Sequence, residues 1–211
     1  MEAERGRSVD RLVTFVDAVV AIAITLLALP LADIAREGAN GEGLGPVLDA
    51  AFLPFLGFAI SFFVIARLWW AHHRVFEHVV RWDGPLVLLS ILWLFTVVLL
   101  APVTSLLDLA SPLQPDATTT GVVAIYIGTM TVSSLLLNAL TWRIWRRPGL
   151  TDGADVDAGR RLFGSIESTI GFLLALVIGT AVPAINYFAL FTLAITGQVG
   201  RLVWNRMHRR R

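Results

Sequence analysis

A largely apolar run, residues 12–31, carries a carboxylate, Asp17, near its start. About 20 such residues are long enough to cross a bilayer as one helix. Yet an ionised carboxylate costs at least ~3 kcal/mol at a helix centre, and less near an interface. Such a residue normally faces the inside of a helix bundle and has a partner there. The helix is therefore expected to belong to a functional assembly rather than to act as a simple anchor.

The rest of the chain repeats the pattern. Apolar segments fall at about 12–32, 51–70, 85–107, 119–142, 162–182 and 183–204, which predicts one six-helix transmembrane domain over 1–211. The last two are nearly continuous, so residues 179–183 must hold a tight turn, and Pro183 suits a first helical turn. The chain is 56% hydrophobic and 16% charged, with mean hydropathy +0.72. Soluble domains carry about 25% charged residues, so an all-α integral membrane protein is expected. The first run exceeds the usual apolar core of a leader peptide and is interrupted by Asp17, which argues against cleavage. With no cysteine, disulfides and thiolate chemistry are excluded.

Arginine placement sets an orientation. Arg5, Arg7 and Arg11 precede the first segment, and Arg74 and Arg81 lie between the second and third. Arg143, Arg146, Arg147, Arg160 and Arg161 lie between the fourth and fifth, and residues 201–211 close the chain with a basic tail. The alternate loops are acidic, with Asp33, Glu37, Glu42 and Asp49, then Asp108 and Asp116. The positive-inside rule puts both termini in the cytoplasm, and Trp69, Trp70, Trp82, Trp142, Trp145 and Trp204 gather at the same membrane face.

At about 100° per residue, Ile22, Leu26 and Leu29 fall within about 60° of one another, with Thr25 at the edge of the stripe and Asp17 roughly 140° away. Geometry alone leaves open whether the stripe meets lipid, another helix or a pore. Arg11 and Asp17 are six residues apart and do not share a helix face. Either other side chains bridge them, or Arg11 snorkels to the interface while Asp17 sits near water. His72 and His73 are adjacent and point about 100° apart. His73 and Glu77 have the spacing of two metal ligands, but a third is missing; Glu77 and Arg81 have the spacing of a helical ion pair. A histidine bonded within the bundle and an interfacial turn account for this cluster. Glu167 lies close enough to Arg160 and Arg161 for an interfacial pair. No enzyme motif is present: there is no GxSxG, HExxH or phosphate-cradling glycine loop. Nothing points to nucleic acid, a metal or a cofactor.

Three motifs resemble the prokaryotic members of the transmembrane protein 175 family, relatives of the endolysosomal potassium channel. Arg11, Phe15 and Asp17 match R-x-x-x-F-S-D, with Val16 in place of the serine. His72–Arg74 match its HHR, followed by a phenylalanine and by R-x-D at Arg81–Asp83, and APVTSLL at 101–107 is similar to the end of its third helix. The resemblance implies a homotetramer in a prokaryotic plasma membrane, with four first helices lining a potassium pathway. It implies apolar constrictions at Ile22, Leu26 and Leu29, and a hydroxyl ring at Thr25. It further implies a structural polar network of Arg11, Asp17 and a histidine, His72 or His73. A buried carboxylate held by several donors would keep the helix at one rotation.

The expectation is a leak-like, modestly selective potassium channel with no cofactor beyond the permeant ion. Asp33 and Glu37 form an acidic outer vestibule in this reading. The rival is a proton- or cation-coupled transporter with Asp17 and a histidine as relay.

Overall fold

The computed structural model describes residues 2–38, 44–109, 116–153, 158–182 and 185–193. These residues are helical apart from connecting turns and one isolated bridge: α1 (Glu2–Leu26), α2 (Leu29–Gly38), α3 (Leu44–Phe76), α4 (Gly84–Ser105), α5 (Ala117–Arg146) and α6 (Ala158–Ala181). Among the described residues, five stretches are long and apolar enough to cross a membrane: Val9–Arg36, Gly45–Phe76, Gly84–Ser105, Ala117–Arg146 and Leu162–Ala181. The expected sixth segment, 183–204, lies outside the described residues except for 185–193, where Asn186–Phe191 forms a 3-10 turn packed on α6.

Local chemistry explains the helix ends. Asp83 caps α4, its carboxylate accepting the Leu86 amide at 3.0 Å, and Pro85 fills a first-turn position where a missing N–H costs nothing. Asp116 caps α5 through the Thr119 amide at 2.7 Å. The Thr119 amide, followed by the Thr119 hydroxyl, holds the Asp116 carboxyl below the usual carboxylate range.

Two expectations need correction. The first crossing is not one continuous helix over 12–32, because α1 stops at Leu26 and α2 begins at Leu29. Pro30 has no N–H to offer the Leu26 carbonyl, and its ring crowds that carbonyl. The chain tightens instead, with the Ala28 amide on the Thr25 carbonyl at 3.2 Å. Nor are Glu77 and Arg81 a helical pair. Helix α3 ends at Phe76 and the chain turns, the Val79 amide bonding the Phe76 carbonyl at 3.0 Å.

That turn is stitched to the α5–α6 connection. Val79 bridges Thr151, the Val80 and Arg81 amides both donate to the Leu150 carbonyl, and the Asp152 amide donates to the His78 carbonyl. The Arg143 guanidinium grips both Asp83 oxygens, with Nε at 3.1 Å from Oδ1 and Nη2 on Oδ2. This pairing is the largest influence holding the Asp83 carboxyl below its ordinary range.

The core is built around α5 and α4. Tyr126, Ile127, Met130 and Leu140 pack with Trp93, Val97 and Leu100, and Phe172 of α6 closes the far side. Buried hydroxyls tie the layers together. Thr104 bonds the Leu100 carbonyl at 2.6 Å, which commits its one proton. Ser61 must therefore donate to Thr104 at 2.9 Å, and the Tyr126 phenol to Ser61 at 2.6 Å. The result is a directed chain from α5 through α3 to α4.

Candidate functional site

Helix α1 has two distinct sides. Val9, Val16, Val20, Ala23 and Leu27 form an inward seam, the last four 1–2% exposed, whereas Ile22, Leu26 and Leu29 are 58%, 43% and 56% exposed. The stripe isolated on the helical wheel thus lies on the outward side of the chain. Leu29 reaches it from beyond the Leu26–Leu29 break. Thr25 is also exposed, and its hydroxyl donates to the Ile22 carbonyl at 2.8 Å. Its oxygen keeps its acceptor capacity.

Asp17 sits off this stripe, half-buried, and accepts a 2.8 Å hydrogen bond from the Trp69 indole of α3. Sequence reasoning treated Trp69 only as an interface marker and missed it as the carboxylate's donor. His73 is exposed and lies against the same indole, with ring centres 5.8 Å apart. His72 points elsewhere: it is fully buried between Phe76 and Trp93, stacked on the indole at 4.3 Å. Among the described residues neither of its ring nitrogens has a hydrogen-bond partner. Arg11 is exposed and makes no bond to Asp17. Of the four polar residues singled out, Asp17 and His73 therefore meet at one tryptophan, while Arg11 and His72 stand apart from it. Val16, at the position of the motif's serine, belongs to the buried seam, so an apolar contact occupies the place of a hydroxyl.

At the other end of the crossing, Asp33 and Arg36 form an exposed 3.3 Å ion pair on α2. The side chain of Glu37 lies outside the described residues. No three metal-ligating side chains converge among the described residues. One charged residue escaped the sequence reading: Arg67, near the end of the second apolar segment, donates to Ser168 of α6 at 2.6 Å. An arginine within an apolar run carries the same signal as Asp17.

The family model of the endosomal/lysosomal potassium channel TMEM175 matches residues 11–101, which hold α1 from Arg11 onward, its outward stripe, Asp17 and Trp69. A potassium channel of Streptomyces collinus is 35% identical over 164 residues, covering 77% of each chain. The chain belongs to the TMEM175 family. A second relative, a potassium channel of Chamaesiphon minutus, is 28% identical over 159 residues, covering 72% of this chain and 71% of its own. The fold agrees with solved TMEM175 structures. The crystal structure of a lysosomal potassium-selective channel TMEM175 homolog from Chamaesiphon minutus superposes with a TM-score of 0.68 at 23% identity, over 93% of this chain and 97% of that one. A single-substitution variant of the potassium channel MtTMEM175, solved in complex with a nanobody fusion protein, gives 0.55 at 20% identity, over 95% and 94%. This TMEM175 chain is thus an all-helical, multi-pass membrane protein of a potassium-channel family.

Proposed function

We propose that this protein is one subunit of a homotetrameric, leak-like and modestly selective potassium channel in a prokaryotic plasma membrane. Each subunit spans the membrane six times with both termini in the cytoplasm, and four copies of α1 surround the pathway. The observation that carries this reading is the division of α1 into a buried seam and an outward apolar stripe. Rings of Ile22, Leu26 and Leu29 then form constrictions that gate by dewetting, where small dilations decide whether a partly dehydrated cation passes. Thr25 supports a cation pathway, because it is exposed, its proton is committed to the Ile22 carbonyl and its oxygen remains an acceptor. Asp17 is engaged by Trp69 and acts on the pore through the orientation of α1, not as an ion ligand. Neither histidine hydrogen-bonds Asp17, so a proton relay through these residues has less support.

Potassium flux into liposomes holding the purified protein tests the reading. Ile22→Asn is expected to raise flux by roughly tenfold, equivalent to ~1.4 kcal/mol off the barrier, and to reduce discrimination against sodium. Flux that saturates and requires a proton gradient would overturn it in favour of the transporter. Asp33 and Glu37 at the outer mouth raise local cation concentration in this scheme. Neutralising both should lower conductance at low salt, and an unchanged conductance removes them from the mechanism.

A further inference from the structure

Arg67 sits nine residues before the end of α3 at Phe76, about 13 Å along the helix axis at 1.5 Å per residue. It precedes Trp69 and Trp70 by two and three residues, so its guanidinium lies close to the membrane interface those indoles mark, within reach of lipid headgroups. Arg74 lies seven residues further, close to two full turns, and so on the same face. Both arginines line one cleft of about 290 Å³ between α3, α5 and α6, and they are its charged lining residues. The remaining polar wall consists of hydroxyl side chains, Ser134, Thr141, Ser165 and Ser168. Two of these hydroxyls have committed protons: Ser168 donates to the Gly164 carbonyl at 2.9 Å, and Thr141 to the Leu137 carbonyl at 2.8 Å. Their oxygens therefore act as acceptors. Ser168 uses this capacity to hold the Arg67 guanidinium at 2.6 Å, which fixes the direction of its fork.

The cleft continues into a second space of different character. Arg67 also lines an apolar furrow of about 420 Å³, with Leu56, Ile60 and Phe63 of α3 on one side and Leu190 and Phe191 on the other. From Arg67 back to Leu56 the furrow follows about 16 Å of α3 toward the bilayer interior. Phe63 and Phe191 are 70% and 61% exposed within the chain. Arg67 thus stands where a cationic, hydroxyl-lined cleft meets an apolar trough. Guanidinium forks match phosphate oxygens in a planar, bidentate way. Acceptor hydroxyls suit the alcohol groups of a polyol headgroup, and basic pockets between spanning helices take anionic headgroups.

We propose that cleft and furrow together form a binding site for one anionic glycerophospholipid. Its phosphodiester rests on Arg67 and Arg74, its headgroup alcohols donate to Thr141 and the neighbouring hydroxyl oxygens, and one acyl chain lies along Ile60 and Phe63. A free phosphate would leave the furrow unused. Under the orientation proposed above, the lipid enters from the cytoplasmic leaflet. Binding does not depend on conduction, so failure of the channel reading and failure of this one are separately visible.

The test is lipid retention by the purified full-length protein, read by native mass spectrometry with phosphatidylglycerol and phosphatidylcholine of identical chains. Wild type is expected to retain phosphatidylglycerol in preference. The R67Q/R74Q double variant should weaken that retention by about tenfold or more, because it removes charge-assisted hydrogen bonds to the phosphate. Gly164→Leu gives a second route that leaves every charge in place. A Cβ at Gly164 meets no other atom within 4 Å, so a larger side chain has room and fills the cleft. It is expected to reduce retention as the double variant does. Equal retention of both lipids by wild type, or unchanged retention in Gly164→Leu, would overturn the proposal. Displacement of the lipid by glycerol phosphate at matched concentration would also overturn it, in favour of a site for soluble phosphate. Variants that dissociate the oligomer while keeping their lipid would mark the cleft as a subunit contact and overturn it too.

Discussion

Beside the apolar seam, a polar bond ties α1 to α3, and it can be tested by itself. Trp69 donates its indole proton to Asp17 at 2.8 Å. Hydrogen bonds to charged groups contribute about 1.5–3 kcal/mol in soluble proteins, whereas interhelical bonds in membranes average ~0.6 and reach ~1.7 kcal/mol. Asp17 is half-buried and accepts through a carboxyl oxygen, which places Trp69→Phe near the upper membrane value, about 1.5 kcal/mol. Phenylalanine keeps the aromatic contact with His73, so the loss reports mainly the donor. Asp17→Asn still accepts the indole proton and loses only the charge assistance, about half the bond. Once the indole donor is gone, neutralising Asp17 removes an under-solvated charge and should cost nothing further. The double variant is therefore expected to be no less stable than Trp69→Phe alone. At about 2–4 °C per kcal/mol for a chain of this size, Trp69→Phe lowers the midpoint of thermal unfolding by about 3–6 °C. Thermal unfolding followed by size-exclusion chromatography on the four proteins closes the cycle. Additivity within ~0.3 kcal/mol, or an Asp17→Asn loss larger than that of Trp69→Phe, would refute the bond as the tether of α1.

Other outcomes follow from the same structure. In the hydroxyl chain, Ser61→Ala removes two bonds, to Thr104 and to Tyr126, whereas Tyr126→Phe removes only the bond to Ser61. Ser61→Ala should be the costlier by about 1 kcal/mol, and the reverse order in thermal unfolding would contradict Ser61 as the middle link of the chain. Asp83→Asn should cost about 1 kcal/mol by breaking a partly exposed ion pair, and Asp83→Ala about 1 kcal/mol more by removing the α4 cap as well. Because the Asp83 carboxyl is held below its unfolded value, its contribution is present above about pH 4 and fades as pH falls through the folded value. Asp83→Asn should therefore flatten the acid limb of a stability profile, and an unchanged limb would deny the pair this role.

Much of the fold was legible because hydropathy and charge alternate along the chain, and hydropathy alone locates spanning segments. Helix ends were less so, since caps and prolines set them. Helix α3 runs from Leu44 to Phe76, well beyond its apolar centre, and Pro30 breaks the first crossing where hydropathy shows none. The two sides of α1 followed from a 100° repeat, because packing of one helix on a bundle obeys that repeat. Partners across the bundle did not follow. Asp17 and Trp69 are 52 residues apart, and Val79 and Thr151 meet only after two more helices have folded. Spacing carries no signal for such pairs. Arg67 is different: its signal was present in the sequence, and its place among apolar neighbours marks it as plainly as Asp17.

The uneven burial of the spans bears on assembly. Half of the α5 span is buried within the chain, but only 22% of the α1 span. Apolar exposure alone does not drive association in a bilayer, because lipid tails solvate leucine as well as another helix does. Close approach through small residues does. The outward side of α1 supplies them: Ala18, Ala21 and Thr25 are exposed or half-buried beside Ile22. Ala21 lies about 100° around the helix from Ile22, so in a ring of α1 helices with Ile22 on the axis it faces the adjacent helix. Ala21→Leu would force neighbouring helices apart at every contact of the ring. Overpacking costs about 1–3 kcal/mol per site. In the proposed tetramer, cyclic symmetry repeats the clash at four equivalent contacts, so at least ~4 kcal/mol, about a thousandfold in assembly, is at stake. Mass photometry of the purified protein should show loss of the tetramer in Ala21→Leu but not in Ala21→Gly. The subunit should keep its fold, since Ala21 lies outside the buried seam of Val16, Val20, Ala23 and Leu27. A tetramer that survives Ala21→Leu with full potassium flux would mean that α1 helices do not meet along this face.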